Sequence, residues 1–201
     1  MNATFTTRGF LPDADPHQHQ KLPAAFERLD TLGRDLPSLL EDKDARQYLR
    51  AFDVPPWPTD AITAEDLPAL RLYYVRLGFV ASGYVNQVGR PPATTLPKNL
   101  AVPLCRAAKL LDRPPILSYD GYALFNWKRF DPAGPIALGN IDTIQNFVHL
   151  YDEHWFILVH FEIEFLAAEA LDDIAACAAA VTAGDGTGVT AALSRIAEAV
   201  R

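Results

Sequence analysis

The residues with the greatest chemical capacity lie between positions 149 and 164: His149, Asp152, Glu153, His154, His160 and Glu164. Imidazoles and carboxylates are the side chains that ligate metals and move protons near neutral pH. Their spacing speaks against a shared metal. On a continuous helix, His149 and His154 lie about 140° apart and His154 and His160 about 120° apart, at roughly 100° per residue. Phe156, His160 and Glu164, at i, i+4 and i+8, do share one face. Trp155, Ile157, Leu158 and Val159 make the surroundings apolar. His160 is therefore either a core histidine with its hydrogen bonds met or a residue of a site.

A second group is Tyr119, Tyr122, Phe125, Asn126 and Trp127. It is either an aromatic core with polar tips or the wall of a pocket for a flat ligand. Other signatures are absent. There is no GxSxG elbow, no GxxxxGK[ST] phosphate loop and no HExxH zinc helix. No glutamate stands three residues before a histidine, so the di-iron helix motif is missing. Gly184–Gly188 lacks the full GxGxxG pattern and reads as a connector, and His17–Gln20 as a solvated polar arm.

The elements that must position these groups follow from proline placement and periodicity. All 16 prolines lie at or before Pro135, so the first two-thirds should be short elements joined by turns, and the remainder long helices. This shift suggests a division into residues 1–135, a small helical region with Pro-rich connections, and 136–201, the start of a larger helical domain. After an extended arm over the first twenty residues, helices are expected over Ala24–Leu32 and Leu36–Phe52, the latter opened by a Ser38–Glu41 capping box. Pro55–Pro58 reads as a turn. Thr63–Asp66 opens a helix over Leu67–Val88, with Pro68 tolerated in its first turn. Leu100–Leu111 is helical, and Ile116–Trp127 a helix or turn facing the core. Asn140 caps a helix over Ile141–Leu150, followed by a break at Tyr151–Glu153. Helices over His154–Val181 and Val189–Val200 complete the chain. The last carries Leu193, Ile196 and Val200 on one stripe and lacks a terminating signal, as in an element of something longer. No strand pair is evident, and the class is all-α.

With 201 residues and 49% apolar content, the chain can bury one sizeable core. Its net charge of −7 argues against nucleic acid and against an electrostatic membrane module. Cys105 and Cys177 form no CxxC pair, the N-terminus resembles no signal peptide, and no uncharged 18-residue run exists. A cytoplasmic location and no membrane span are expected.

Leu96–Leu104 (LPKNLAVPL), followed by Arg113–Tyr119 (RPPILSY) and Leu124–Trp127 (LFNW), resembles the indoleamine 2,3-dioxygenase family. Arg8–Pro12 (RGFLP) matches its N-terminal pattern, and Trp155–Glu164 with the Ala-rich run beyond matches the first long helix of its large domain. The resemblance implies an enzyme that uses haem b to insert both atoms of O2 across the indole C2–C3 bond of tryptophan or a related indole, yielding N-formylkynurenine. Carried onto this chain, the distal, substrate-facing positions are Tyr119, Tyr122, Ala123, Phe156, Ile157 and His160. Phe156 would contact the indole, and His160 would be catalytic. Common animal members have serine where His160 stands. The related tryptophan 2,3-dioxygenases place a histidine on the distal side, bonded to the indole N–H, which a neutral imidazole can accept. The family's axial histidine and carboxylate-binding arginine match nothing here. No metal ligand is assigned, and the axial histidine is expected beyond Arg201. The chain thus resembles an N-terminal half, with a C-terminal haem half or a homo-oligomer as its partner. The alternatives are a relative acting on substituted tryptophan in secondary metabolism, or a haem-free truncated binding module.

Overall fold

The computed structural model describes residues 6–17 and 21–201. Its elements are helical apart from one short two-stranded ribbon. After a 3-10 turn at Ala24–Phe26 come α1 (Glu27–Glu41), α2 (Ala45–Ala51), α3 (Leu67–Val85) and α4 (Lys98–Leu110). A π-turn at Asp120–Leu124 leads into β1 (Trp127–Arg129) and β2 (Ile141–Thr143), then α5 (Tyr151–Ala183) and α6 (Gly186–Ala199). The class is all-α, as expected. The chain divides into two compact units, Asp15–Leu158 and Met1–Ala14 with Val159–Arg201. No helix among the described residues is long and apolar enough to cross a membrane.

In the unit Asp15–Leu158, α3 is the axis. Its side chains from Leu70 to Tyr84 are almost all buried, and α1, α2, α4 and the π-turn pack against it. The α1 face is built at helical spacing from Leu29, Leu32, Leu36 and Leu40, all buried. Phe26, Trp57 and Tyr73 form an aromatic cluster, with Phe26 and Trp57 stacked at 5.3 Å. The start of α3 follows the sequence closely: Asp66 Oδ2 accepts from the Thr63 backbone N–H at 2.9 Å and from its hydroxyl at 2.7 Å.

The LPKNLAVPL segment explains itself as a clamp. Asn99 lies in the first turn of α4, and its side-chain amide donates to Leu49 O at 2.9 Å and Phe52 O at 2.6 Å. Those carbonyls at the end of α2 have no helical partner of their own.

A buried polar spine crosses the same unit. Arg76 Nη2 donates to Asp30 Oδ1 at 3.0 Å, and its Nη1 to Gln145 Oε1 at 2.6 Å. Gln145 Nε2 in turn donates to Gly33 O at 2.5 Å. Burial pushes the Arg76 guanidinium below its ordinary value, and the Asp30 carboxylate opposes that push. Gly33 is needed for close approach, because a Cβ there would run into the Arg76 side chain and stand 2.6 Å from Gln145 Oε1.

In the unit of Met1–Ala14 and Val159–Arg201, residues 6–12 fold into a tight turn. Thr6 and Gly9 form a bridge, and the Thr6 hydroxyl donates to Leu11 O at 2.7 Å. Gly9 has φ +68°, and a Cβ on it would stand 3.3 Å from the Ala168 backbone of α5. The Arg8 guanidinium lies 4.9 Å from the Phe165 ring centroid. α6 folds back along α5, with Arg195 paired to Asp173 at 2.7 Å. Gly184, at φ +70°, ends α5, and Asp185 caps α6 by accepting from Gly188 N–H at 2.9 Å.

Several local expectations are corrected. α1 runs unbroken through Gly33 and Pro37 to Glu41, so Ser38 is inside a helix and opens none; its hydroxyl bonds His149 Nε2 at 2.9 Å. Asn140 caps no helix. Its amide holds the ribbon loop through Asp131 O at 2.9 Å and Pro135 O at 2.8 Å, and residues 141–143 pair antiparallel with 127–129. α5 starts at Tyr151, where a break was expected. Gly186 and Gly188 begin α6 rather than belonging to a loop. The arm is a packed turn near its start, and His17 is buried, not solvated. Gln18, His19 and Gln20 lie outside the described residues.

Candidate functional site

Tyr122 is the centre of the side-chain cluster that the sequence singled out. It sits in the π-turn, a local geometry often found at functional sites. Asn126 fixes that turn: its buried amide donates to Tyr122 O at 3.0 Å and Gln145 O at 2.8 Å, and its Oδ1 accepts from Gln145 N–H at 2.9 Å. His17 holds the far end, with its ring nitrogens 2.7 Å from Phe125 O and 3.1 Å from Pro68 O. Burial dominates its titration and lowers its pKa to about 4, so near pH 7 the ring is neutral and donates to one of these two carbonyls.

The Tyr122 ring packs on Phe79 at 5.5 Å, Phe156 at 6.0 Å and Phe147 at 6.2 Å. Its hydroxyl donates to Glu153 Oε1 at 3.3 Å. Burial first, and the Glu153 carboxylate second, push the phenol well above its ordinary value. Tyr122 therefore stays protonated and serves as a wall, not as an acid or base. Glu153 also receives the N–H groups of Phe147 at 2.8 Å and Val148 at 2.9 Å. One carboxylate in the first turn of α5 thus fixes both the approach to the helix and the tyrosine beside Phe156.

The other expected positions differ in what they present. Phe156 is 54% exposed and Tyr119 45% exposed. Ala123 and Ile157 are buried and present no open face to a ligand. His160 follows Phe156 by one turn of α5, is half-buried, and belongs to the other compact unit.

His149 and His154 are engaged as polar fasteners. His149 bonds Ser38, and His154 Nδ1 lies 2.9 Å from Asp142 Oδ1 and 3.0 Å from Thr143 Oγ1. Among the described residues, no group of three or more His, Cys, Asp or Glu is placed to hold a metal ion. Phe156 and Tyr119 are both exposed, and Tyr122 stands beside Phe156; an iron ligand is not assigned among these residues. Sequence reasoning placed Glu153 in a metal-type cluster and missed its role as partner of Tyr122. It also missed Phe79 and Phe147, which carry no motif and meet Tyr122 only through the fold.

The protein is thus an all-α scaffold in which a π-turn and a long helix bring Tyr122 and Phe156 together. Comparison makes the class specific. The family model "Indoleamine 2,3-dioxygenase" matches residues 3–201. The chain is 33% identical over 183 residues to indoleamine 2,3-dioxygenase 1 of Mus musculus, covering 90% of this chain and 44% of that protein. It is also 33% identical over 183 residues to indoleamine 2,3-dioxygenase of Saccharomyces cerevisiae, covering 88% of this chain and 40% of that protein. A 6-hydroxytryptophan 2,3-dioxygenase of Fusarium equiseti is 28% identical over 190 residues, covering 94% of this chain and 45% of that protein. The chain belongs to the indoleamine 2,3-dioxygenase family. It spans less than half the length of these curated relatives.

Proposed function

We propose that this chain supplies the distal wall of a haem-dependent dioxygenase that inserts both atoms of O2 across the indole C2–C3 bond of tryptophan or a related indole, giving N-formylkynurenine. Residues 136–201 then begin the large helical domain, and the enzyme works in the cytoplasm. The observation that carries the reading is the exposed Phe156 ring against Tyr122, on a chain matched to the family along nearly its whole length. Haem, when bound, supplies the oxygen chemistry.

The chain's own residues bind and orient. Phe156 and Tyr119 offer apolar faces to the ring system, and Tyr122, held by Glu153, keeps Phe156 in place. His160 accepts the indole N–H at one ring nitrogen and so fixes the orientation of the substrate.

The test is His160→Ala in the haem-loaded enzyme, with tryptophan turnover and the Soret band read together. The expected result is a fall in kcat/KM of roughly tenfold or more, the value of one hydrogen bond to the substrate, with an unchanged Soret band. Loss of the Soret band would make His160 an iron ligand, and unchanged turnover would remove it from the site; either result overturns the assignment.

A further inference from the structure

Away from the aromatic wall, the unit Asp15–Leu158 carries a concavity of about 530 Å3 between the turn before α2, α2 itself and the loop that follows α3. Four cationic side chains line it, Lys43, Arg46, Arg50 and Arg90, against one carboxylate, Asp44. This concentration of positive charge stands out on a chain of net charge −7.

Two of the guanidinium groups are fixed before any ligand arrives. Arg46 donates from Nε to Tyr84 O at 2.8 Å, and from Nη2 to Val85 O at 3.0 Å and Pro91 O at 2.8 Å. Arg50 donates from Nε to the Tyr84 hydroxyl at 2.7 Å. Both lie near the Tyr84 ring, at 5.7 and 5.8 Å from its centroid. These bonds engage one side of each fork and leave Nη1 of Arg46 and both terminal nitrogens of Arg50 for an anion. Arg90 is tethered to Lys43 O at 3.2 Å.

Gln87 is the independent observation. It is 3% exposed and also lines the cleft. Its Nε2 donates to Asp42 O at 2.7 Å, which fixes the amide orientation, because a flipped amide would set oxygen against oxygen. Its Oε1 is then buried with no hydrogen-bond partner. A buried acceptor left alone costs about 1–3 kcal/mol. What it lacks is a donor, and the cations around it ask for an anion.

We propose that this cleft binds a tetrahedral oxyanion that carries its own hydroxyl: hydrogen phosphate, or the phosphate of a hydroxylated ester such as a sugar phosphate. The guanidinium groups take the charged oxygens and Gln87 Oε1 takes the hydroxyl proton. Sulfate has the same shape and charge as hydrogen phosphate but no proton at neutral pH, so it would set a bare oxygen against Gln87 Oε1.

Calorimetric titration of the chain with inorganic phosphate, sulfate and glucose 6-phosphate at fixed ionic strength tests this. Saturable one-to-one binding of phosphate is expected, with sulfate weaker by about tenfold or more, as for one lost charged-partner hydrogen bond. Arg50→Gln should weaken phosphate by about tenfold, and Gln87→Met should bring phosphate down to the level of sulfate. Glucose 6-phosphate binding more tightly than phosphate assigns the site to esters; weaker binding assigns it to the free anion. Equal affinity for phosphate and sulfate, or binding that never saturates, overturns the proposal, since bare charge would explain both. Should Gln87→Met fail to fold, the exposed Arg50→Gln and the phosphate–sulfate comparison on the unaltered chain decide the question.

Discussion

Asp30→Ala is the sharpest perturbation of the fold that holds the aromatic wall. Asp30 is 3% exposed and Arg76 1% exposed, and Oδ1 of Asp30 receives both Nε at 3.2 Å and Nη2 at 3.0 Å. Removing the carboxylate strands a buried guanidinium, a change that costs about 3–5 kcal/mol. With a denaturant slope of about 2.5 kcal/mol/M, the urea midpoint should fall by about 1–2 M. The double change Asp30→Leu with Arg76→Met separates charge from shape. It removes both charges but leaves Gln145 Oε1 and Ile144 O without the Arg76 Nη1 donor they share, at 2.6 and 3.1 Å. Replacing the pair by apolar groups is near neutral in itself, and the orphaned acceptors add about 1–3 kcal/mol. The double variant should therefore be more stable than Asp30→Ala alone. A single-variant cost below about 1 kcal/mol, the range of exposed pairs, would refute the reasoning, as would a double variant less stable than the single.

Two further outcomes are expected. Asn99→Ala leaves Leu49 O and Phe52 O without their donor, and should cost about 1–2 kcal/mol in urea unfolding. Asn99→Asp, which sets an acceptor against the same carbonyls, should cost more. His17 has its pKa lowered from 6.5 to about 4 in the folded chain. The unfolded chain then binds the extra proton between those values, so stability is full above pH 6.5 and falls by about 3 kcal/mol as pH drops to 4. His17→Gln should flatten that part of the profile, as read from urea midpoints at pH 7 and pH 4.5. An unchanged slope would show that His17 is already protonated in the folded chain.

The sequence exposed the long periodic elements most clearly. α3 was legible because its apolar run is bounded by Thr63–Asp66 and by the Gly/Pro loop after it. α4 followed from the same punctuation. The sequence reading leaves a gap between Leu32 and Leu36, yet α1 passes straight through it, and Gly33 there makes room for Arg76 from another helix. The ribbon was missed because its strands are three residues each, and Asn140 looks the same whether it caps a helix or ties a loop. Tyr119, Tyr122 and Phe156 could be singled out by type and resemblance. The grip of Glu153 on Tyr122 could not, since it joins residues 31 apart and has no local signature. His17 was misread as solvated for the same reason: its partners, Pro68 O and Phe125 O, lie 51 and 108 residues away.

The polar spine also sets an order of events during synthesis. Asp30 and Arg76 are 46 residues apart and can meet early, whereas Gln145 bonds Gly33 across 112 residues. Chains begin to fold from the N-terminus as they emerge, and distant closures come last. Until Gln145 leaves the ribosome, Arg76 Nη1 lacks its acceptors and the π-turn lacks the Asn126–Gln145 clasp. A nascent chain interrupted before that point would hold most of its apolar core but keep its centre open, in the form that chaperones retain and proteases cut. Gln145 is in this sense the checkpoint residue of the unit, because its arrival turns a collapsed helical bundle into a closed one.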